Sequence, residues 1–374
     1  MTYKVLQIGN PTSPLNYGNG LAAQSDEVEI HWYSHIKGDL PNVKHHSIPN
    51  WIGRNYVLRA IFEPFYVARV IRQIDPDLVQ VHYASKGLAT LPIIRQQPLI
   101  VTTMGSDIAP DYGYKFPFRY WIDLILRKAT KVTTRSGFMK KRLLKMGVPE
   151  EKIIINSWGI DLKHFSRKTN RKKLKKQWGA PSDAFLFFDP RSTHPLYNKD
   201  IIIKAFAKAA TKTTEKIHLL VAGIFATDSQ KAALHQLVDQ LEITEQVTFL
   251  GSVDYEQMPE LYSLAECTVS VPSSDGMPQT IFEAWACGSY LIIGDLPQYD
   301  EFVNDVSTAK RVPIRDVQKL SEAMLWVMAE EKVRTRAIKL GRERAIHFAD
   351  RKVQKKGMRD LVMSLLKADD KSLI

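Results

Sequence analysis

Val271-Pro-Ser-Ser-Asp-Gly-Met-Pro-Gln-Thr-Ile-Phe-Glu-Ala-Trp-Ala-Cys-Gly288 is the stretch on which the reading of this 374-residue chain turns. Thr268 to Val271 reads as a short buried strand, and Thr280 to Cys287 as a helix with Ile281, Ala284 and Trp285 on its inner face. Between them lies a loop of Ser, Asp, Gly and Pro. A strand, a loop and a helix N-terminus in that order present free backbone N–H groups, to which diphosphates commonly bind. Two carboxylates bracket the loop. Asp275 lies in it, and Glu283 follows about one turn into the helix, where side chains lean back toward the N-terminus. Carboxylates accept paired hydrogen bonds from vicinal hydroxyls. A diphosphate between two diols describes a nucleotide sugar.

Working outward, strands alternate with helices on both sides of this stretch. In the first half Lys4–Ile8, Glu27–Tyr33, Leu78–His82, Pro98–Thr103, Lys131–Thr134 and Lys152–Asn156 read as strands. Apolar residues at helical spacing run from Arg54 to Ile74, Val57, Ile61, Phe65 and Val70 among them; Phe118 to Lys128 and Phe138 to Met146 read likewise. In the second half Ala184–Phe188, His218–Ala222, Val247–Leu250, Cys267–Val271 and Tyr290–Ile293 read as strands. This alternation predicts doubly wound parallel sheets. The length suits two domains, with expected spans 1–164 and 165–354. Two such domains would face a central cleft at the carboxyl ends of their strands.

Hydrophobic residues at 44% and charged residues at 25% are ordinary for a globular protein. No apolar run approaches a membrane span. The N-terminus begins a strand without signal-peptide architecture. Cys267 and Cys287 sit in apolar segments and read as packing residues of a reducing compartment. The expected location is cytoplasmic, with the inner face of the membrane as a further expectation. The net charge of +12 is concentrated in residues 1–180. Such an excess suits an anionic lipid surface, a phosphate-bearing acceptor or nucleic acid. The segments Arg54–Ile74 and Tyr114–Lys131 mix basic and aromatic residues and are candidates for peripheral contact with an anionic membrane. No nucleic-acid partner is expected, and no His/Cys/Asp cluster suggests a metal.

The acid-x7-acid spacing followed by Glu283-Ala-Trp-Ala-Cys-Gly288 resembles the signature of the family 4 retaining glycosyltransferases of GT-B fold. The resemblance implies a fold of two Rossmann-like domains, with a last helix, about residues 355–374, crossing back onto the first. It implies that Asp275, where the family usually has Glu, contacts the donor sugar, and that Glu283 contacts the ribose. Gly276, Met277 and Pro278 would line the diphosphate at the helix N-terminus. Arg191, at the end of Leu186-Phe-Phe-Asp-Pro-Arg191, matches the family arginine on the diphosphate, where a guanidinium pairs bidentately with phosphate oxygens. The family lysine a few residues on aligns with Tyr197. Either Lys199 reaches in from a longer loop, or Tyr197 or Asn198 takes its place. Thr248-Phe-Leu-Gly251 resembles the base-binding turn, in which Gly251 lets the backbone approach a nucleobase.

In the first half, the loop after Gly9 resembles the family's glycine-containing loop, with Gly18 and Gly20 as candidates for the acceptor or phosphate side. Thr102-Thr-Met-Gly-Ser-Asp107 carries Met104 where many members have His. Asp107 is then a candidate catalytic base or orienter of the acceptor hydroxyl, beside Gly105, with His82 as the alternative. The catalytic set expected is Asp107, Arg191 and Asp275. The expected activity is transfer of a hexose-type sugar from a nucleoside diphosphate sugar to a hydroxyl of a glycan or glycolipid acceptor, with no cofactor or metal. Its setting would be cell-surface polysaccharide or glycolipid assembly. The rival readings are a same-fold epimerase or phosphorylase, and a non-catalytic protein binding anionic polymers or lipid.

Overall fold

Leu78–His82 and Tyr290–Gly294 are buried at every position, as strands covered on both faces must be. The computed structural model describes residues 2–10, 20–35, 40, 42–109, 113–223, 227–277, 279–303 and 306–370. The chain divides into two units, Met1–Trp158 with Arg351–Ile374, and Gly159–Asp350.

The first unit is built on a parallel sheet of seven strands: β1 (Tyr3–Ile8), β2 (Val28–Ser34), β3 (Lys44–Ser47), β4 (Leu78–His82), β5 (Leu99–Thr102), β6 (Lys131–Thr134) and β7 (Ile153–Ile155). Its order is β3-β2-β1-β4-β5-β6-β7, so the winding reverses between β1 and β4. Alternation along β1 sends Leu6 and Ile8 into a core shared with Val67, Val70, Ile71 and Ile122, and Val5 into one shared with Met358, Val362 and Leu366. The first core brings in helices α2 (Tyr56–Ile74) and α4 (Phe118–Lys128), which follow the short α1 (Asn50–Gly53) and α3 (Thr90–Ile93). Helix α5 is Gly137–Lys145. The second core is closed by the C-terminal helix, Arg351–Asp370, so the chain's end covers the sheet that its beginning founded.

The second unit repeats the plan with six parallel strands: β8 (Phe185–Asp189), β9 (Ile217–Ala222), β10 (Val247–Gly251), β11 (Cys267–Ser270), β12 (Tyr290–Gly294) and β13 (Ala309–Val312), in the order β10-β9-β8-β11-β12-β13. Its helices are α6 (Arg171–Gln177), α7 (Lys199–Ala210), α8 (Asp228–Gln240), α9 (Met258–Leu264), α10 (Gln279–Cys287), α11 (Val317–Ala329) and α12 (Glu331–Ala349); the C-terminal helix is α13. The winding reverses between β8 and β11. At such switch points diverging loops leave a crevice beyond the strand ends, where ligands bind.

Two strands escape the sequence pattern, β3 and β13. Both are sheet edges. Lys44-His-His-Ser47 and Ala309-Lys-Arg-Val312 carry the polar side chains that an edge tolerates and a central strand does not. The unit boundary falls at Trp158 instead of 164, because Ile160 pairs with Asp350 and Phe165 is buried in the core of the second unit. The stripe Val57, Ile61 and Phe65 is helical, but it faces outward; α2 buries Val67, Val70, Ile71 and Ile74 instead. Cys267 and Cys287 are free and buried, and burial raises both thiol pKa values, that of Cys287 to about 12.

Candidate active site

The loops after β8 and β11 meet at the switch point of the second unit. Arg191, two residues beyond β8, reaches across to the loop after β11. Its Nη2 lies 3.2 Å from Asp275 Oδ2, and its Nη1 donates to Thr280 Oγ1 at 2.9 Å. The guanidinium lies over the Tyr197 ring, 4.3 Å from its centre. Burial opposes the charge of Arg191, but Asp275 together with Tyr197 and Tyr299 outweighs burial and raises its pKa. Asp275 is itself fixed on several sides. Its Oδ1 accepts the Gly276 N–H at 2.8 Å, and its Oδ2 accepts the Tyr299 hydroxyl at 3.2 Å. A charge pair held this way is pre-aimed, as stabilisation of a developing anion requires.

The loop carrying Arg191 is stapled to its neighbour by Asn198, a left-handed residue with φ 52°. Its Nδ2 donates to Val271 O at 2.7 Å and to Ser273 Oγ at 3.0 Å, and Arg315 Nε donates to its Oδ1 at 3.2 Å. One turn into α10, Glu283 is buried, and its Oε2 accepts the Tyr262 hydroxyl at 2.9 Å. Burial first, then the Glu283 charge, pushes the Tyr262 pKa well above its ordinary value, so that hydroxyl stays a donor.

Beyond β9 and β10 a recess of about 250 Å3 is lined by Thr193, Gly223, Lys231, His235, Phe249 and Gly251. Gly251 has φ +68° and sits at a register shift between β10 and β9, after which it still pairs with Ala222, and its carbonyl accepts the Gly223 N–H at 2.8 Å. The His235 and Phe249 ring centres lie 4.2 Å apart with their planes tilted by 37°, an aromatic wall.

In the first unit a cavity of about 430 Å3 opens at the switch point, beyond β1, β2 and β4. Gly9, Tyr33, Glu63, His82, Lys86 and Met104 line it. His82 Nε2 contacts Gln7 Oε1 at 2.7 Å, and Gln7 Nε2 donates to Gln80 Oε1, so the chain of bonds makes Nε2 the protonated nitrogen. Nδ1 is buried without a hydrogen bond, as is the Tyr33 hydroxyl. Burial, aided by Lys86, pushes the His82 pKa down to about 3. The Lys86 ammonium is pushed down to about 8 by burial, with Glu63 and Asp107 pulling it back. Burial raises the Glu63 carboxyl, against the pull of Lys86 and Arg59. Tyr83, beside His82, holds φ 79°, a backbone state that a bulky residue adopts only under constraint.

Residues 12–164 match the sequence profile described as Glycosyltransferase Family 4, and residues 170–344 that described as Glycosyl transferases group 1. The chain belongs to the family 4 glycosyltransferases. It is 24% identical to the O-antigen chain mannosyltransferase of Salmonella typhimurium over 245 residues, 63% of this chain and 64% of that one. It is 23% identical over 299 residues, 76% of each chain, to the N,N'-diacetylbacillosaminyl-diphospho-undecaprenol alpha-1,3-N-acetylgalactosaminyltransferase of Campylobacter jejuni. The crystal structure of a glycosyltransferase from Rickettsia africae superposes with a TM-score of 0.81 at 16% identity, covering 98% of this chain and 99% of that one. Matched stretches span 64%, 32% and 46% of three curated relatives, less than two thirds of each. The fold of this family 4 member is GT-B, with two Rossmann-like parallel-sheet units.

Set on that fold, the structure brings Arg191, Asp275 and Gly276 into contact and places Glu283 in the adjoining helix turn. Lys199 is held in the interior beside the end of β8. It is 4% exposed, and its Nζ bonds Asp189 Oδ2 at 2.6 Å. Burial pulls both partners toward their neutral forms, and each charge holds the other against it. Asp189 Oδ1 accepts the Arg191 N–H at 3.1 Å, so this lysine braces the strand end that carries Arg191. Of the two remaining candidates, Asn198 is committed to the loop staple and Tyr197 stacks on Arg191. The Met277 side chain is in the core, leaving only its backbone for a ligand.

Asp107 is likewise engaged within the fold. It is fully buried, and its two oxygens accept the N–H groups of Ala84, Met104, Gly105 and Ile108 at 2.9 to 3.2 Å. A carboxylate so occupied ties β4 to the 103–108 turn, and this geometry favours a turn-holding role over that of a base. Gly105 supplies one of those N–H groups at φ +109°. Gly20 is a packing residue: a Cβ there would lie 2.4 Å from the Trp32 ring. Gly18 and Pro278 lie outside the described residues. Tyr299, Glu63 and Lys86 were not legible, because none belongs to a local pattern that marks it.

Proposed function

We propose that this protein transfers a sugar from a nucleoside diphosphate sugar to an acceptor hydroxyl, with retention of anomeric configuration and without a metal ion or other cofactor. The observation that carries the reading is the Arg191–Asp275 pair at the switch point, beside the start of α10. The recess at Gly223 and Gly251 suits a nucleobase edge and face. Glu283 is placed to bind the ribose diol, and Asp275 the donor sugar. In the reaction the bond from the anomeric carbon to the diphosphate oxygen breaks, one to the acceptor oxygen forms, and the acceptor's proton passes to the departing diphosphate. Arg191 and the N–H groups at the start of α10 offset the charge that accumulates on the departing diphosphate.

The cavity in the first unit suits a hydroxyl-bearing acceptor. Lys86 and Glu63 offer it opposite charges. Among the described residues no three His, Cys, Asp or Glu side chains group to hold a metal ion. The setting we propose is cell-surface polysaccharide or glycolipid assembly, at the cytoplasmic face of a membrane and in peripheral contact with it. No helix among the described residues is long and apolar enough to cross one. The O-antigen and undecaprenol-linked activities of the relatives support this setting.

Thermal shifts with UDP, GDP, ADP and their sugars test the proposal, because a ligand bound to the native state raises the melting temperature. One nucleotide should stabilise the wild type and fail to stabilise Glu283→Ala. No shift with any of them would overturn it.

A further inference from the structure

Among the described residues sixteen large hydrophobic side chains are exposed, and eleven of them belong to residues 51–120. They are not scattered. Trp51, Tyr56, Val57 and Phe65, on α1 and α2, keep 62% to 70% of their surface exposed. Leu88 and Leu91 belong to the 87–93 segment packed against α2, and that segment in turn touches α4, whose start carries Phe116, Phe118 and Tyr120. The three neighbours therefore make one apolar and aromatic face. Isolated exposed hydrophobic residues are ordinary, but a contiguous face of this kind marks a contact surface.

Charge indicates what covers it. Segments 51–74, 86–95 and 113–128 contain ten Lys or Arg and two Asp or Glu. Every charged side chain there that is exposed is basic, including Arg54, Arg69, Arg72, Lys115 and Arg119, whereas Glu63 and Asp123 are partly buried. Arg69 and Arg72 follow Val57, Ile61 and Phe65 around the same outward side of α2. Apolar side chains interleaved with Lys and Arg are what an anionic bilayer interface selects: rings and aliphatic chains enter the acyl boundary and the cations meet the headgroups. Glu63, on the opposite side of the same helix, lines the 430 Å3 cavity.

We infer that α1, α2, the 87–93 segment and the start of α4 form a docking surface for an anionic lipid bilayer. This rests on the membrane contact proposed above and names the side chains that make it. Docking there holds the acceptor cavity near the headgroup level, so the acceptor it serves is one anchored in the lipid.

The test is sedimentation of the full chain with phosphatidylcholine vesicles, with and without phosphatidylglycerol. The wild type should bind the anionic vesicles, bind pure phosphatidylcholine weakly, and lose affinity as salt rises. Val57→Glu with Phe65→Glu should abolish binding. Arg69→Glu with Arg72→Glu should weaken it roughly five-fold or more per residue. Both pairs replace exposed residues and should keep the wild-type melting temperature and nucleotide shift; if one does not, the other pair decides. No binding of the wild type to anionic vesicles, or equal binding by the variants, overturns the inference. So does a wild-type oligomer that these substitutions dissolve without any vesicle binding, because the face would then be a protein interface. Vesicle binding that persists without any nucleotide shift would refute the transferase reading and leave the docking surface standing.

Discussion

Arg191 Nη2 lies 3.2 Å from Asp275 Oδ2, joining the ends of two strands, β8 and β11, that are neighbours in the sheet but about eighty residues apart in the chain. The pair has little exposure, and its charges are set before any ligand arrives. Arg191→Ala should lower kcat by roughly 10²–10³-fold, because a fixed cation at a developing anion is lost and Asp275 is left without its counter-ion. Arg191→Lys should rescue little, because an ammonium cannot reach Asp275 and Thr280 in the same fork while stacking on Tyr197. Steady-state kinetics with the donor identified by thermal shift checks both.

Lys199 separates a brace from a ligand. Lys199→Met leaves Asp189 buried and unpaired and should cost about 3–5 kcal/mol of stability. Chemical denaturation measures that loss. Nucleotide affinity measured well below the melting temperature should fall far less than in Arg191→Ala; an equal fall would return Lys199 to the donor site.

Tyr262→Phe removes the hydroxyl that donates to Glu283 and should cost about 1 kcal/mol. Its effect on nucleotide affinity should be modest, because Glu283 keeps its place in α10. Glu283→Gln should weaken nucleotide binding more, since an amide offers one acceptor oxygen to a diol. Calorimetric titration with the cognate nucleotide gives the ranking.

Lys86 predicts a pH dependence. Its ammonium in the fold titrates near 8, below the ordinary 10.5, because burial disfavours the charge. As pH rises through about 8 the folded protein gives up this proton while an unfolded lysine keeps it. For this group, stability therefore rises between about 8 and 10.5, while any grip on an acceptor through its charge is lost. The acceptor KM should rise across pH 8 in the wild type and not in Lys86→Met. His82, pushed down to about 3, should contribute no limb to the profile between pH 5 and 9.

Gly20→Ala tests packing against ligand binding. Its Cβ would fall 2.4 Å from the Trp32 ring, a clash that should cost about 1–3 kcal/mol. A melting temperature that drops with unchanged kinetics in the surviving folded protein fits a packing role.

Arg191, Asp275, Gly276, Gly251 and Glu283 were legible because each sits at a marked local place: a strand end, a turn glycine, a helix start. Lys199 has the same kind of local signature, one residue before Asp200 at the start of a helix, yet its side chain turns inward to Asp189. Asp107 likewise follows a glycine turn as a catalytic base would, and accepts four backbone N–H groups. In both cases the decisive partner is a buried group whose direction no spacing encodes.

The sequence by itself determined the two parallel-sheet units and the donor loop, because strand alternation, turn glycines and the acid-x7-acid spacing are local patterns, short enough to be read without neighbours. Only the tertiary structure decided which charges stay available. Whether a lysine meets a phosphate or a buried aspartate, and whether Val57, Ile61 and Phe65 face a core or the outside, depends on what packs beside them. Periodicity shows that a helix has an apolar side, but the sheet behind α2 decides which side it buries.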